Sequence, residues 1–123
     1  MSVLPESAEV DLTVQVSGLP ETAERIFRLL VRNGSPAPES TVPDPGAALA
    51  AVERFGEEIF FAARRADMIC TQQYGGPQVA LVTGVLHGRP VRSRFSLTDG
   101  CEIARWRAME PLLGGPASRR GLV

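Results

Sequence analysis

Alternation is the strongest constraint on what this chain can fold into. Val10, Leu12, Val14 and Val16 alternate with Asp11, Thr13 and Gln15. Period two with β-branched residues is the pattern of a strand with one face buried. Val91, Ser93, Phe95 and Leu97 alternate in the same way with Arg92, Arg94 and Ser96. Between them Val79–Leu86 is a third strand run, interrupted by Gly84, and His87-Gly88 predicts a tight hairpin turn. A two-residue turn joins antiparallel neighbours, so the chain is built around an antiparallel sheet.

Two helices are predicted beside it. Asp44 is an N-cap with Pro45 at the first turn, and Leu49, Val52, Phe55, Ile59, Phe60 and Ala63 form an apolar stripe. Asp99 stands three residues before Glu102, a capping-box-like start for a short helix through Met109 that buries Ile103 and Trp106. The sum is an α+β domain. One segment is ambiguous. Ala23, Ile26, Phe27, Leu30 and Val31 have helical spacing, and Asn33-Gly34 would make a helix stop. Local pattern alone predicts a helix there. Residues 33–45 hold four prolines and read as a loop, and residues 67–77 are irregular.

The length of 123 residues suits one domain, expected over 9–114, with flexible ends at 1–8 and 115–123. Basic and acidic residues number 13 and 14, for a net charge of −1, which speaks against a nucleic-acid binder relying on a positive field. Every basic residue is arginine, so lysine Schiff-base and lysine general-base chemistry are excluded. No apolar run is long enough to span a bilayer as a helix. The N-terminus has neither the basic nor the apolar region of a signal peptide, which leaves a mature secreted chain or a cytoplasmic one.

Little here supports catalysis. Cys70 and His87 are the one conceivable thiol–imidazole pair, but His87 falls in the predicted turn and reads as an exposed turn residue. Glu57 and Glu58 are adjacent on a helix, diverge, and read as part of a solvated face. Gly75-Gly76-Pro77 lacks the lysine and helix of a phosphate loop. One histidine and two cysteines make no zinc site. No enzyme, metal or cofactor is expected. Cys70 and Cys101 are 31 positions apart and form either one bridge or two buried thiols.

Three stretches together resemble the Streptomyces subtilisin inhibitor family. They are Cys70-Thr-Gln-Gln-Tyr-Gly-Gly-Pro77, the hairpin through Gly84 and His87-Gly88, and Asp99-Gly-Cys-Glu-Ile-Ala-Arg-Trp106. The match is specific over residues 67–106 and traceable from Val10. The all-arginine composition, rich in alanine, proline and glycine, agrees with an actinobacterial source. The resemblance implies a five-stranded antiparallel sheet with two helices, a secreted homodimer packed through its sheets, and a serine protease of the subtilisin type as partner. It also implies a strand, not a helix, over 24–32, and that reading is preferred. It implies a bridge between Cys70 and Cys101, and a protease-binding reactive loop made of Ile69, Cys70, Thr71, Gln72, Gln73, Tyr74 and Gly75. The scissile bond would be Gln72-Gln73, with Gln72 as the specificity residue.

The chain departs from the family in three ways. The family's second bridge would fall at Val31 and Gly46, and neither is cysteine. The loop is one residue longer at Gly75-Gly76, which adds freedom on the far side of the bond. The stretch between Gly46 and Cys70 is about three residues longer than the family pattern. The lost bridge, the inserted loop residue and the missing signal peptide favour the alternative, an interaction module that keeps the fold without inhibiting.

Overall fold

The computed structural model describes residues 9–18, 24–61 and 69–114. The expected flexible ends and the end of the first helix at Ala63 lie outside them. The elements in chain order are β1 (Val10–Ser17), β2 (Arg25–Arg32), β3 (Ser35–Pro36), α1 (Pro45–Gly56), β4 (Val79–Leu86), β5 (Arg89–Phe95) and α2 (Gly100–Ala108). Five residues of π-helical spacing, Glu57–Phe61, continue α1. The strands form one antiparallel sheet in the order β3-β2-β1-β4-β5.

Register and alternation agree across the sheet. Val10, Leu12, Val14 and Val16 stand opposite Leu86, Gly84, Val82 and Ala80 of β4. Ala80, Val82 and Gly84 stand opposite Phe95, Ser93 and Val91 of β5. These residues line one face, and nearly all are buried. Ala48, Ala51 and Val52 of α1, Ile103 and Trp106 of α2, and Met109, Leu112 and Leu113 beyond it join them in the core. The opposite face carries Asp11, Thr13, Arg92 and Arg94 toward solvent. There Arg28 donates two hydrogen bonds of 3.0 Å to the Asp11 carboxylate, which raises the arginine pKa further.

Both predicted caps are present. Asp44 accepts from Ala47 N at 3.1 Å, and Asp99 accepts from Glu102 N at 2.9 Å. The hairpin turns are Asn33-Gly34 and His87-Gly88, with all four residues at positive φ as a tight antiparallel turn needs. Residues 25–32 are therefore a strand, as the resemblance implied, and Asn33-Gly34 turns a hairpin instead of ending a helix. The proline-rich loop also needs correction. It contains β3, and its later residues continue that edge without being a strand. Ala37 N and Thr41 N donate to Leu30 O and Arg28 O at 2.7 and 2.8 Å. The hydroxyls of Ser40 and Thr41 accept from Leu30 N and Arg28 N at 2.9 and 2.8 Å. Side chains thus satisfy much of the exposed edge of β2.

Candidate functional site

The stretch from Ile69 to β4 has no regular secondary structure and runs across the N-terminal end of α2. Three consecutive residues place that end. Asp99 caps the helix, Gly100 N donates to Thr71 O at 3.0 Å, and Cys101 is bridged to Cys70 with Cα atoms 5.3 Å apart. A Cβ on Gly100 would overlap the Thr71 hydroxyl, so any larger residue there would have to turn the Thr71 side chain aside. On the other side, Gly75 N donates to Leu97 O at 2.7 Å. A Cβ on Gly75 would stand 3.2 Å from both Ile103 Cδ1 and Leu97 Cβ. The residue expected to add slack is therefore an anchor.

Between these anchors Gln72, Gln73 and Tyr74 face solvent. Ile69 is 94 % exposed and Tyr74 is 66 % exposed, two of the four large apolar side chains that the described residues leave in water. Exposed side chains of this size that flank a tethered stretch are available to a partner. The loop is thus held at Cys70, Thr71 and Gly75, and bare from Gln72 to Tyr74.

The support beneath is polar and specific. Arg105 of α2 donates to Arg94 O and Ser93 Oγ, both at 3.0 Å, and to Glu102 Oε1 at 3.1 Å. Its guanidinium lies 4.5 Å from the centre of the Phe95 ring. It ties the helix that carries the loop anchors to the edge strand β5. Sequence reasoning missed Arg105, Gly100 and Leu97. The spacing of Arg105 three residues after Glu102 on a capped helix was a signal for one of its contacts only.

The residues weighed for catalysis do not converge. Cys70 is in a disulfide and is no thiol. His87 sits in the turn between β4 and β5, exposed, with Nε2 3.5 Å from Glu53 Oε2. Glu57 pairs with Arg89 at 2.9 Å in solvent. The Asp99 carboxylate and both cysteine sulfurs lie within 4.8 Å of one another, but the sulfurs are bonded together and offer no thiolate to a metal. The positions of the family's second bridge are a buried core residue, Val31, and an exposed residue in the first turn of α1, Gly46.

No family model and no curated protein matches the chain. Among solved structures it is similar to Streptomyces caespitosus sermetstatin in complex with Bacillus licheniformis subtilisin. The TM-score is 0.52 at 24 % identity, over 83 % of this chain and 94 % of that one. The chain has the fold of sermetstatin, the five-stranded α+β architecture that the resemblance implied.

Proposed function

We propose that this protein inhibits serine endopeptidases of the subtilisin type, presenting the Gln72-Gln73 bond as a substrate would. The observation that carries the reading is the double tether. Thr71 and Gly75 are fixed by backbone hydrogen bonds and Cys70 by a disulfide, while the bond between them is bare. The exposed side chains of Ile69 and Tyr74 supply apolar contacts on either side of it. The solved similarity to a chain seen in complex with subtilisin supports the same partner class.

The mechanism follows from restraint. The protease serine attacks the Gln72 carbonyl, and the amine of Gln73 is the leaving group. In an ordinary peptide that amine diffuses away and water takes its place. Here both sides of the cut stay attached to α2 and to the chain after β5. The amine remains beside the acyl carbon at high effective concentration and re-forms the bond. A loop already tethered at both ends also avoids much of the ordering cost of binding. No residue of the inhibitor does catalysis. The disulfide agrees with an oxidising, extracellular setting, which belongs to the same reading. A second copy of the chain on the outer sheet face belongs to the same reading, with the exposed Ile26 and Val85 as its apolar part.

The test is titration of subtilisin with the purified chain, followed by mass analysis of the chain recovered. The expected result is a stoichiometric fall in activity, with any cut confined to Gln72-Gln73. Cleavage at many sites with full protease activity retained would reject the proposal and support the non-inhibitory module.

A further inference from the structure

The two tethers of the loop stand on different elements. Cys70 and Thr71 are tied to the first turn of α2, through Cys101 and Gly100. Gly75 is tied to Leu97, two residues past the end of β5. Residues 96–99 join β5 to α2 without regular secondary structure. The Gln72-Gln73 bond lies between the tethers, so the separation of its two sides follows the placement of α2 against β5. Arg105 crosses that joint. It stands one helical turn after Cys101, and its acceptor Arg94 O stands three residues before Leu97. Nη1 meets Arg94 O and Nη2 meets Ser93 Oγ, with the guanidinium over the fully buried Phe95 ring. The side chains of Arg105 and Glu102 are only 20 % and 12 % exposed. Withdrawing such charges from water offsets much of what their pairing returns, so stability is a weak reason for them. A rigid fork on two acceptors of one strand fixes orientation as well as distance.

We propose that Arg105 is a positioning residue for the inhibition: it clamps α2 to β5 and so sets the two tethers at the separation from which the cut bond re-forms. The consequence rests on the reactive-loop reading. When Gln72-Gln73 is cut, the acyl side is held by α2 and the amine side by Leu97. Rejoining brings the two together. The Gln73 amine attacks the Gln72 acyl carbon, the protease serine oxygen leaves, and a proton of the amine passes to it. A misplacement of about 1 Å can cost such a step about a hundredfold. The disulfide keeps the acyl side attached, and Arg105 keeps it aimed.

The first readout needs the chain alone. Gly75 N and Gly100 N donate the hydrogen bonds of the two tethers, so their exchange with deuterated water reports both. Arg105→Met should speed both about tenfold, the weight of a hydrogen bond made by a charged group. Arg105→Lys keeps a charge beside Glu102 but cannot fork onto two acceptors, and should speed both about fivefold. If Arg105→Met does not fold, Arg105→Lys carries the test. Unchanged exchange at both amides would overturn the clamp. The second readout is the ratio of intact to cut chain at equilibrium with subtilisin. Arg105→Met should lower it about tenfold and Arg105→Lys about fivefold. Gly84→Ala, which crowds the Asp11 carbonyl within the sheet, should leave it at the native value. An equal fall in Gly84→Ala, or no fall in the Arg105 variants, would overturn the positioning role. A native chain that neither inhibits subtilisin nor is cut at Gln72-Gln73 would strike the reactive-loop reading and this role, while the two amides would still decide the clamp.

Discussion

Gln72 is an uncharged side chain on a bare stretch of loop, and if it is the specificity residue of the proposed function, the charge it lacks sets the response to trypsin. A trypsin-like pocket holds a buried acid that must be paired, and glutamine leaves it unpaired. Gln72→Lys is therefore expected to gain trypsin inhibition by about a hundredfold or more, measured by titrating trypsin activity. A variant that trypsin simply digests would mean that the loop lacks the required rigidity. Gly84 tests the sheet at the same scale. It has φ of 137°, and a Cβ there would overlap the Asp11 carbonyl across the β1–β4 pair. Gly84→Ala should destabilise the fold by about 2–4 kcal/mol in urea unfolding, without touching the loop. A midpoint within experimental error of the native one would show that the close approach is wrong.

At the scale of elements, α2 is a short helix whose first three positions do separate jobs for the loop. Asp99→Ala removes the cap and should cost about 1 kcal/mol in denaturant unfolding. Because Gly100 and Cys101 follow directly, the variant should also be cut by subtilisin faster than the native chain. A stability loss with unchanged cutting would uncouple the cap from the loop. The elements differ in how far the sequence revealed them. Both caps, β1, β4 and the His87-Gly88 turn were legible because their signals are local. β2 was misleading because Leu29, Leu30 and Val31 are all buried, which breaks period two. Leu30 lies on the outer side of the strand, alongside the backbone bonds made by residues 37–42. That continuous apolar run imitates helical spacing, and only the family resemblance pointed to a strand. The anchors Gly100, Leu97 and Arg105 were hidden for a different reason. Their partners lie 11–29 positions away or across a turn of chain, and nothing in local pattern records them.

The whole molecule divides its labour between a sheet that needs no help and a loop that needs a great deal. The core runs the length of the inner sheet face and is closed by α1, α2 and the residues after α2. The loop contributes little to that core and is held by two backbone hydrogen bonds and one disulfide. Closing a segment of 31 positions stabilises the fold by roughly 3–4 kcal/mol on the chain-entropy argument. With valine and glycine at the family's other bridge positions, this one covalent tie carries the loop's restraint. Opening it should leave the sheet folded and free the loop, and on the proposed function this turns an inhibitor into a substrate. The most direct test compares the native chain with a Cys70→Ser/Cys101→Ser variant, each incubated with equimolar subtilisin while activity and the Gln72-Gln73 bond are followed together. The account predicts lasting inhibition and a mostly intact bond for the native chain, and rapid cutting with recovery of activity for the variant. Equal inhibition by both, or rapid cutting of both, would contradict it.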